Sequence, residues 1–184
     1  MLKYSLVIVA WLAVLPFADA EVKLPAIFGD HMVLQQGVAL PVWGWAEAGE
    51  RVTVSFAGRS AGAVADGEGK WRVELPPVEA GGQGRTLTVT GKNTITLQDV
   101  LVGEVWLAAG QSNMELGIQS ADGGAAAVER ANDPQLRMFF IPWAASLTVK
   151  DDFVRGRNAL DGKWVVCTPE NMKANWAWHG FSAV

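Results

Sequence analysis

Ser112 lies in the run Gly110-Gln111-Ser112-Asn113-Met114, directly after the apolar stretch Val105-Trp106-Leu107-Ala108-Ala109. A serine at the turn that follows a buried strand is placed to act as a nucleophile in acyl transfer. A hydroxyl is a poor nucleophile alone, so that role needs a base to take its proton and amide donors for the oxyanion. The preceding glycine permits a tight turn, and the amide of Ser112 is a candidate oxyanion donor. The same pattern fits a second role, because Ser and Asn after a strand are common helix caps. The segment is not Gly-x-Ser-x-Gly, so the α/β-hydrolase elbow does not apply. Gln111, Asn113 and Met114 flank Ser112 and are candidates to line an acyl pocket, with Asn113 equally suited to capping a following helix. Glu104 interrupts an apolar run and reads either as a buried acid near the site or as a loop residue. No other residues form a recognisable nucleophile or metal set. Cys167 is the only cysteine, and His31 and His179 are the only histidines. None of the three stands at a metal-ligand spacing from another. Cys167 reads as a small buried hydrophobe, and His31 as a surface or turn residue.

Two kinds of pattern surround the serine. From residue 21 to 98 the chain alternates with a period of two. Val52, Val54 and Phe56 alternate with polar neighbours, as do Trp71, Val73 and Leu75, then Leu87 and Val89, then Ile95 and Leu97. Such alternation buries one face of a strand and wets the other. Turn residues separate the runs at 47–50, 57–59, 66–69, 81–82 and 91–93. Short strands with regular turns predict an N-terminal antiparallel β-sandwich of Ig-like type. From residue 99 to 184 the pattern changes. The run Val105–Ala109 reads as a strand buried on both faces, the Ala-rich stretch from Gly124 to Ala131 as a short helix, and Leu136–Ile141 as another strand. That order predicts the start of an α/β domain with a parallel sheet. Ser112–Val184 is short for a doubly wound domain of about 100–150 residues, so this domain is expected to be truncated.

Residues 1–20 read as a secretory signal peptide. Lys3 gives a positive start, Tyr4–Leu15 is apolar, Pro16 breaks the run, and Ala18-Asp19-Ala20 supplies small residues for cleavage. The segment is too short to span a membrane, so the expectation is an exported protein without stable membrane insertion. In the whole chain, 50% of the 184 residues are hydrophobic and 18% are charged, with a formal net charge of -4. With no run of basic residues, a footprint for nucleic acid is missing, and a neutral or small substrate fits better. Nine tryptophans are many for this length. Tryptophan faces stack on sugar rings, which suits a carbohydrate partner, whereas Trp71 and Trp106 read as packing residues.

The run Leu101-Val102-Gly103-Glu104-Val105-Trp106-Leu107, followed by Gly110-Gln111-Ser112-Asn113-Met114-Glu115, carries a resemblance to the sialate O-acetylesterase family of the wider SGNH/GDSL-type hydrolases. It extends upstream through Leu24-Pro25, Phe28, Met32-Val33-Leu34-Gln35-Gln36 and Pro41-Val42-Trp43-Gly44. Asp66 with Gly69-Lys70-Trp71, and Asn93-Thr94-Ile95-Thr96-Leu97, fit the same pattern. It implies a flavodoxin-like catalytic domain after the β module and hydrolysis of O-acetyl groups on sialic acids or similar sugars. Ser112 maps onto the family's nucleophile, and no cofactor is implied. The family's catalytic histidine, its acidic partner, and the glycine and asparagine of its oxyanion hole map onto none of these 184 residues, and His179 does not match the histidine block. The 184 residues are therefore expected to be inactive alone. Acetylated xylan as substrate, and a non-catalytic secreted glycan-binding protein, are the competing readings.

Overall fold

The computed structural model describes residues 21–110, 116–141, 146–153 and 162–174. The segment 1–20, read as a signal peptide, lies outside them. Strand β1 spans Val33–Gln35, β2 Leu40–Trp45, β3 Arg51–Phe56, β4 Arg59–Val64 and β5 Lys70–Leu75. Strand β6 spans Gly81–Thr90 and β7 Thr94–Gly103. They are followed by a 3-10 turn at Ile118–Ser120, helix α1 at Gly124–Arg130, strands β8 at Asp133–Phe139 and β9 at Trp164–Cys167, and helix α2 at Pro169–Ala174.

The period-two runs form strands with the expected faces inward. Val52, Val54 and Phe56 of β3, Trp71, Val73 and Leu75 of β5, and Leu87 and Val89 of β6 are all buried in one core with Leu40 and Val42 of β2. The β3–β4 connection shows how local chemistry sets the register. Phe56 pairs with Arg59, leaving a two-residue loop in which Ala57 and Gly58 have φ of 51° and 74°. Two positive φ angles define the type I′ turn, whose twist matches that of paired strands. At 66–69, Asp66 Oδ1 accepts from the amides of Glu68 and Lys70 at 2.9 and 2.8 Å, and Gly69 takes φ of 79°. Gly44 is required by close approach, because a Cβ there would lie 2.1 Å from the Lys23 carbonyl oxygen.

The architecture departs from the expected Ig-like sandwich followed by a flavodoxin-like domain. Five strands in the order β1-β7-β6-β3-β4 form a sheet that is mixed, because β1 runs parallel to β7 with Val33 opposite Leu101. Register shifts between Gly81 and Leu87 bend β6 against β7, and such bulges increase local twist. The sheet curls into a half-barrel, with the two-stranded β2–β5 sheet contributing to the same core. Strand β7 runs on to Gly103, and its Val100 and Val102 belong to that core.

The second half also differs. Val105, Trp106 and Leu107 are not strand, and Trp106 is 86% exposed rather than packed. The β8–β9 pair is antiparallel, with Phe139 opposite Trp164, so the described residues show no parallel βαβ unit. An aperiodic apolar run identifies burial potential but no partner, and no strand pairs with 105–109 among the described residues. Helix α1 does form where the alanines predict it. A small second core gathers Ile118, Val128, Val165, Cys167 and Met172. Cys167 is buried as expected, and burial pushes its thiol pKa up. No helix among the described residues is long and apolar enough to cross a membrane.

Candidate functional site

Ser112 and its flanking candidates Gln111, Asn113 and Met114 lie outside the described residues, as does His179. The supports on either side of them are described. On the upstream side, β1 and β7 are parallel and end together, with Gln35 opposite Gly103. The chain then leaves the sheet through Glu104. The Glu104 carboxylate accepts from Gln35 Nε2 at 3.2 Å and Gln36 Nε2 at 2.5 Å. Gln35 Oε1 in turn accepts from the Val105 amide at 2.8 Å, and the Gln36 amide donates to the Gly103 carbonyl at 2.9 Å. Two adjacent glutamines thus clamp the point where the segment to Ser112 departs. Hydrogen bonds from Gln36 and then Gln35 hold the Glu104 carboxyl below its ordinary pKa. Glu104 is an exposed loop residue following a strand, which decides between its two sequence readings.

Downstream, Ile118 anchors the chain in the small core. Gln119 Nε2 donates to the Lys173 carbonyl at 3.1 Å, tying the 3-10 turn to α2. The described residues on either side, Glu104 upstream and Ile118 downstream, are thus each fixed, one at the edge of the large sheet and one in the small core. An acyl transfer at Ser112 needs its base and oxyanion donors to converge on this connection.

One charged cluster was not legible in the sequence. His31 Nδ1 lies 2.7 Å from Asp99 Oδ2, and Arg137 Nη1 lies 2.9 Å from the same oxygen. Arg137 Nη1 also donates to the His31 carbonyl at 3.2 Å and the Asp99 carbonyl at 3.4 Å. Its side chain is only 4% exposed. His31 and Asp99 both have positive φ, at 67° and 53°, so the backbone is strained at both. The hydrogen bond from His31 acts with Arg137 to pull the Asp99 pKa down. A histidine on a carboxylate is half of a triad's geometry. Here the carboxylate is shared with a buried guanidinium that belongs to β8, so the cluster pins β8 to β7 and to the His31 turn. Trp164 of β9 adds a second pin, donating from Nε1 to the Ile27 carbonyl at 2.7 Å. His31 is thus a turn residue, as its sequence context suggests. Among the described residues, no three His, Cys, Asp or Glu side chains gather as a metal ion would require.

No protein-family model matches the chain. It is 29% identical over 163 residues to the sialate O-acetylesterase of Rattus norvegicus, covering 82% of this chain and 29% of that protein. It is 31% identical over 105 residues to the sialate O-acetylesterase of Homo sapiens, covering 51% of this chain and 20% of that one. Among solved structures it is similar to a carbohydrate acetylesterase from Xanthomonas citri, with a TM-score of 0.79 and 38% identity over 88% of this chain and 35% of that chain. The chain spans about a third or less of the length of these relatives. The strand-rich, curled arrangement is thus one that an acetylesterase also adopts, which accounts for the departure from the expected two-domain fold. With sialate O-acetylesterases among its sequence relatives and an acetylesterase sharing its fold, the chain is sialate O-acetylesterase-like in sequence and in fold.

Proposed function

We propose that this chain serves an exported carbohydrate esterase that removes O-acetyl groups from sugars, with Ser112 as its nucleophile. The single observation that carries the reading is the shared fold, at 38% identity over 88% of the chain, with a carbohydrate acetylesterase. The sequence around Ser112 supports its role through the family resemblance, and the Gln35–Gln36–Glu104 clamp fixes the chain at Glu104, upstream of that serine.

In this reading the Ser112 Oγ attacks the acetyl carbonyl while a base takes its proton. The tetrahedral oxyanion collapses, the sugar oxygen leaves with that proton, and an acetyl-serine remains. Water, deprotonated by the same base, then attacks the ester, releasing acetate and restoring Ser112. None of the 184 residues matches the family's histidine block, so the chain by itself is expected to turn over little substrate. Gln111, Asn113 and Met114 are proposed to border the acetyl group. The segment 1–20 is proposed to direct export and to be removed before Glu21.

The test is acetate release from O-acetylated sialic acid and acetylated xylo-oligosaccharide by the protein as its gene encodes it. Ser112→Ala is expected to lower turnover by at least about 10³-fold with thermal unfolding nearly unchanged. Turnover at the wild-type rate in that variant would overturn the assignment.

A further inference from the structure

The solvent-facing side of the β2–β5 pair carries two tryptophans opposite two cations. Trp43 is paired across the strands with Arg72, and Trp45 with Lys70. Alternation puts all four on one face, while Val42, Gly44, Trp71 and Val73 turn inward. The backbone positions of Trp43 and Trp45 are about 6.6 Å apart along the strand at a rise of about 3.3 Å per residue. Together with Asp66, Asp151 and the edge of β4, they line an open groove of about 500 Å³. That volume lies within the roughly 300–1,000 Å³ of small-molecule sites.

Trp43 is the notable member. It is 37% exposed although it sits mid-strand. Phe28 packs against it in a T-shaped pair, with ring centroids 4.6 Å apart and planes at 76°. The Arg72 guanidinium lies 6.0 Å from its ring centroid, at the outer limit of a cation–π contact. Arg72 and Lys70 are engaged by Glu74 and Glu68 in exposed ion pairs, which water and salt screen. Both cations are therefore free to turn toward a ligand at little cost. The buried Trp71, which also lines the groove, has an indole N–H with no acceptor among the described residues.

We propose that this groove binds a neutral oligosaccharide, with a pyranose ring stacked on Trp43 and its hydroxyls bonded to Arg72, Lys70 and Asp151. A sugar ring has apolar C–H faces and a hydroxyl edge, which an indole face bordered by both donors and acceptors complements. Two lining carboxylates against two cations leave no net charge to select an acidic sugar. The choice of a glycan rests on the carbohydrate-esterase reading; the geometry of the groove does not. None of its residues comes from the segment carrying Ser112.

The test is equilibrium titration of the chain with xylohexaose and, separately, with sialyllactose, read by tryptophan fluorescence and calorimetry. Xylohexaose is expected to bind. Trp43→Ala should weaken it at least about tenfold, and Arg72→Ala should weaken it several-fold. Thermal melts establish that the variants fold, and Arg72→Ala decides the matter if Trp43→Ala does not fold. Absence of xylohexaose binding, wild-type affinity in the folded variants, or a preference for sialyllactose would each overturn the proposal. Ester cleavage is read separately, as Ser112-dependent release from an aryl acetate by the gene-encoded protein. If that release persists without glycan binding, the groove assignment fails while the esterase reading stands. Binding without Ser112-dependent release gives the reverse.

Discussion

Replacing Arg137 by Ala should loosen the β8–β9 hairpin from the large sheet. Three contacts between elements disappear with the guanidinium: those to Asp99 Oδ2 at 2.9 Å, the His31 carbonyl at 3.2 Å and the Asp99 carbonyl at 3.4 Å. Removing one partner of a fully buried ion pair costs about 3–5 kcal/mol. The Asp99 side chain is 38% exposed and keeps His31 at 2.7 Å, so water and His31 compensate part of the loss. The expected destabilisation is roughly 2–3 kcal/mol. Arg137→Lys keeps the charge but not the fork, and should cost less. The measurement is urea unfolding followed by tryptophan fluorescence, with amide hydrogen exchange across β8 and β9. Exchange in those strands should accelerate more than in β3 and β6, because the pin is local. The same contacts set a pH dependence. The Asp99 pKa is lowered on folding, so its contribution is present above the unfolded carboxylate value of about 3.9. It is lost as the pH falls through the lower folded value, and Arg137→Ala should flatten that acid limb. A change below about 0.5 kcal/mol, with exchange in β8 and β9 unaltered, would mean that Arg137 does not pin the hairpin.

Two further substitutions test the β module. Ala57→Gly relieves a non-glycine residue at φ of 51° in the type I′ turn and is expected to raise stability by about 1 kcal/mol in urea unfolding, with no change in the glycan titration. Gly44→Ala would place a Cβ 2.1 Å from the Lys23 carbonyl oxygen and 3.0 Å from the Trp71 ring. It should destabilise by about 1–3 kcal/mol and, if folded, shift the fluorescence of Trp71.

The strands were legible where alternation was clean, as at Val52-Thr53-Val54 and Trp71-Arg72-Val73, because burial of one face writes itself into the sequence. The turn at 66–69 was legible for the same local reason, since Asp66 and Gly69 carry the chemistry of that turn. Pairing was not. Strand β1 has three residues, too few for a period to register, yet its parallel pairing with β7 makes the sheet mixed. Val105–Ala109 misled because apolar character without a period does not say what will cover it. Arg137 could not be foreseen, because its partners lie 106 and 38 residues away. For Ser112, the local residues left a helix cap and a nucleophile open. Only the likeness of the surrounding blocks to one esterase family separates them.

If Ser112 carries the acyl group, it is the serine that a reagent directed at activated hydroxyls must modify. The most direct measurement is active-site labelling of the gene-encoded protein with a fluorophosphonate, followed by peptide mass spectrometry. A single covalent adduct is expected on Ser112, lost in Ser112→Ala together with acetate release. Labelling at another serine, or acetate release that survives without any adduct at Ser112, would contradict it.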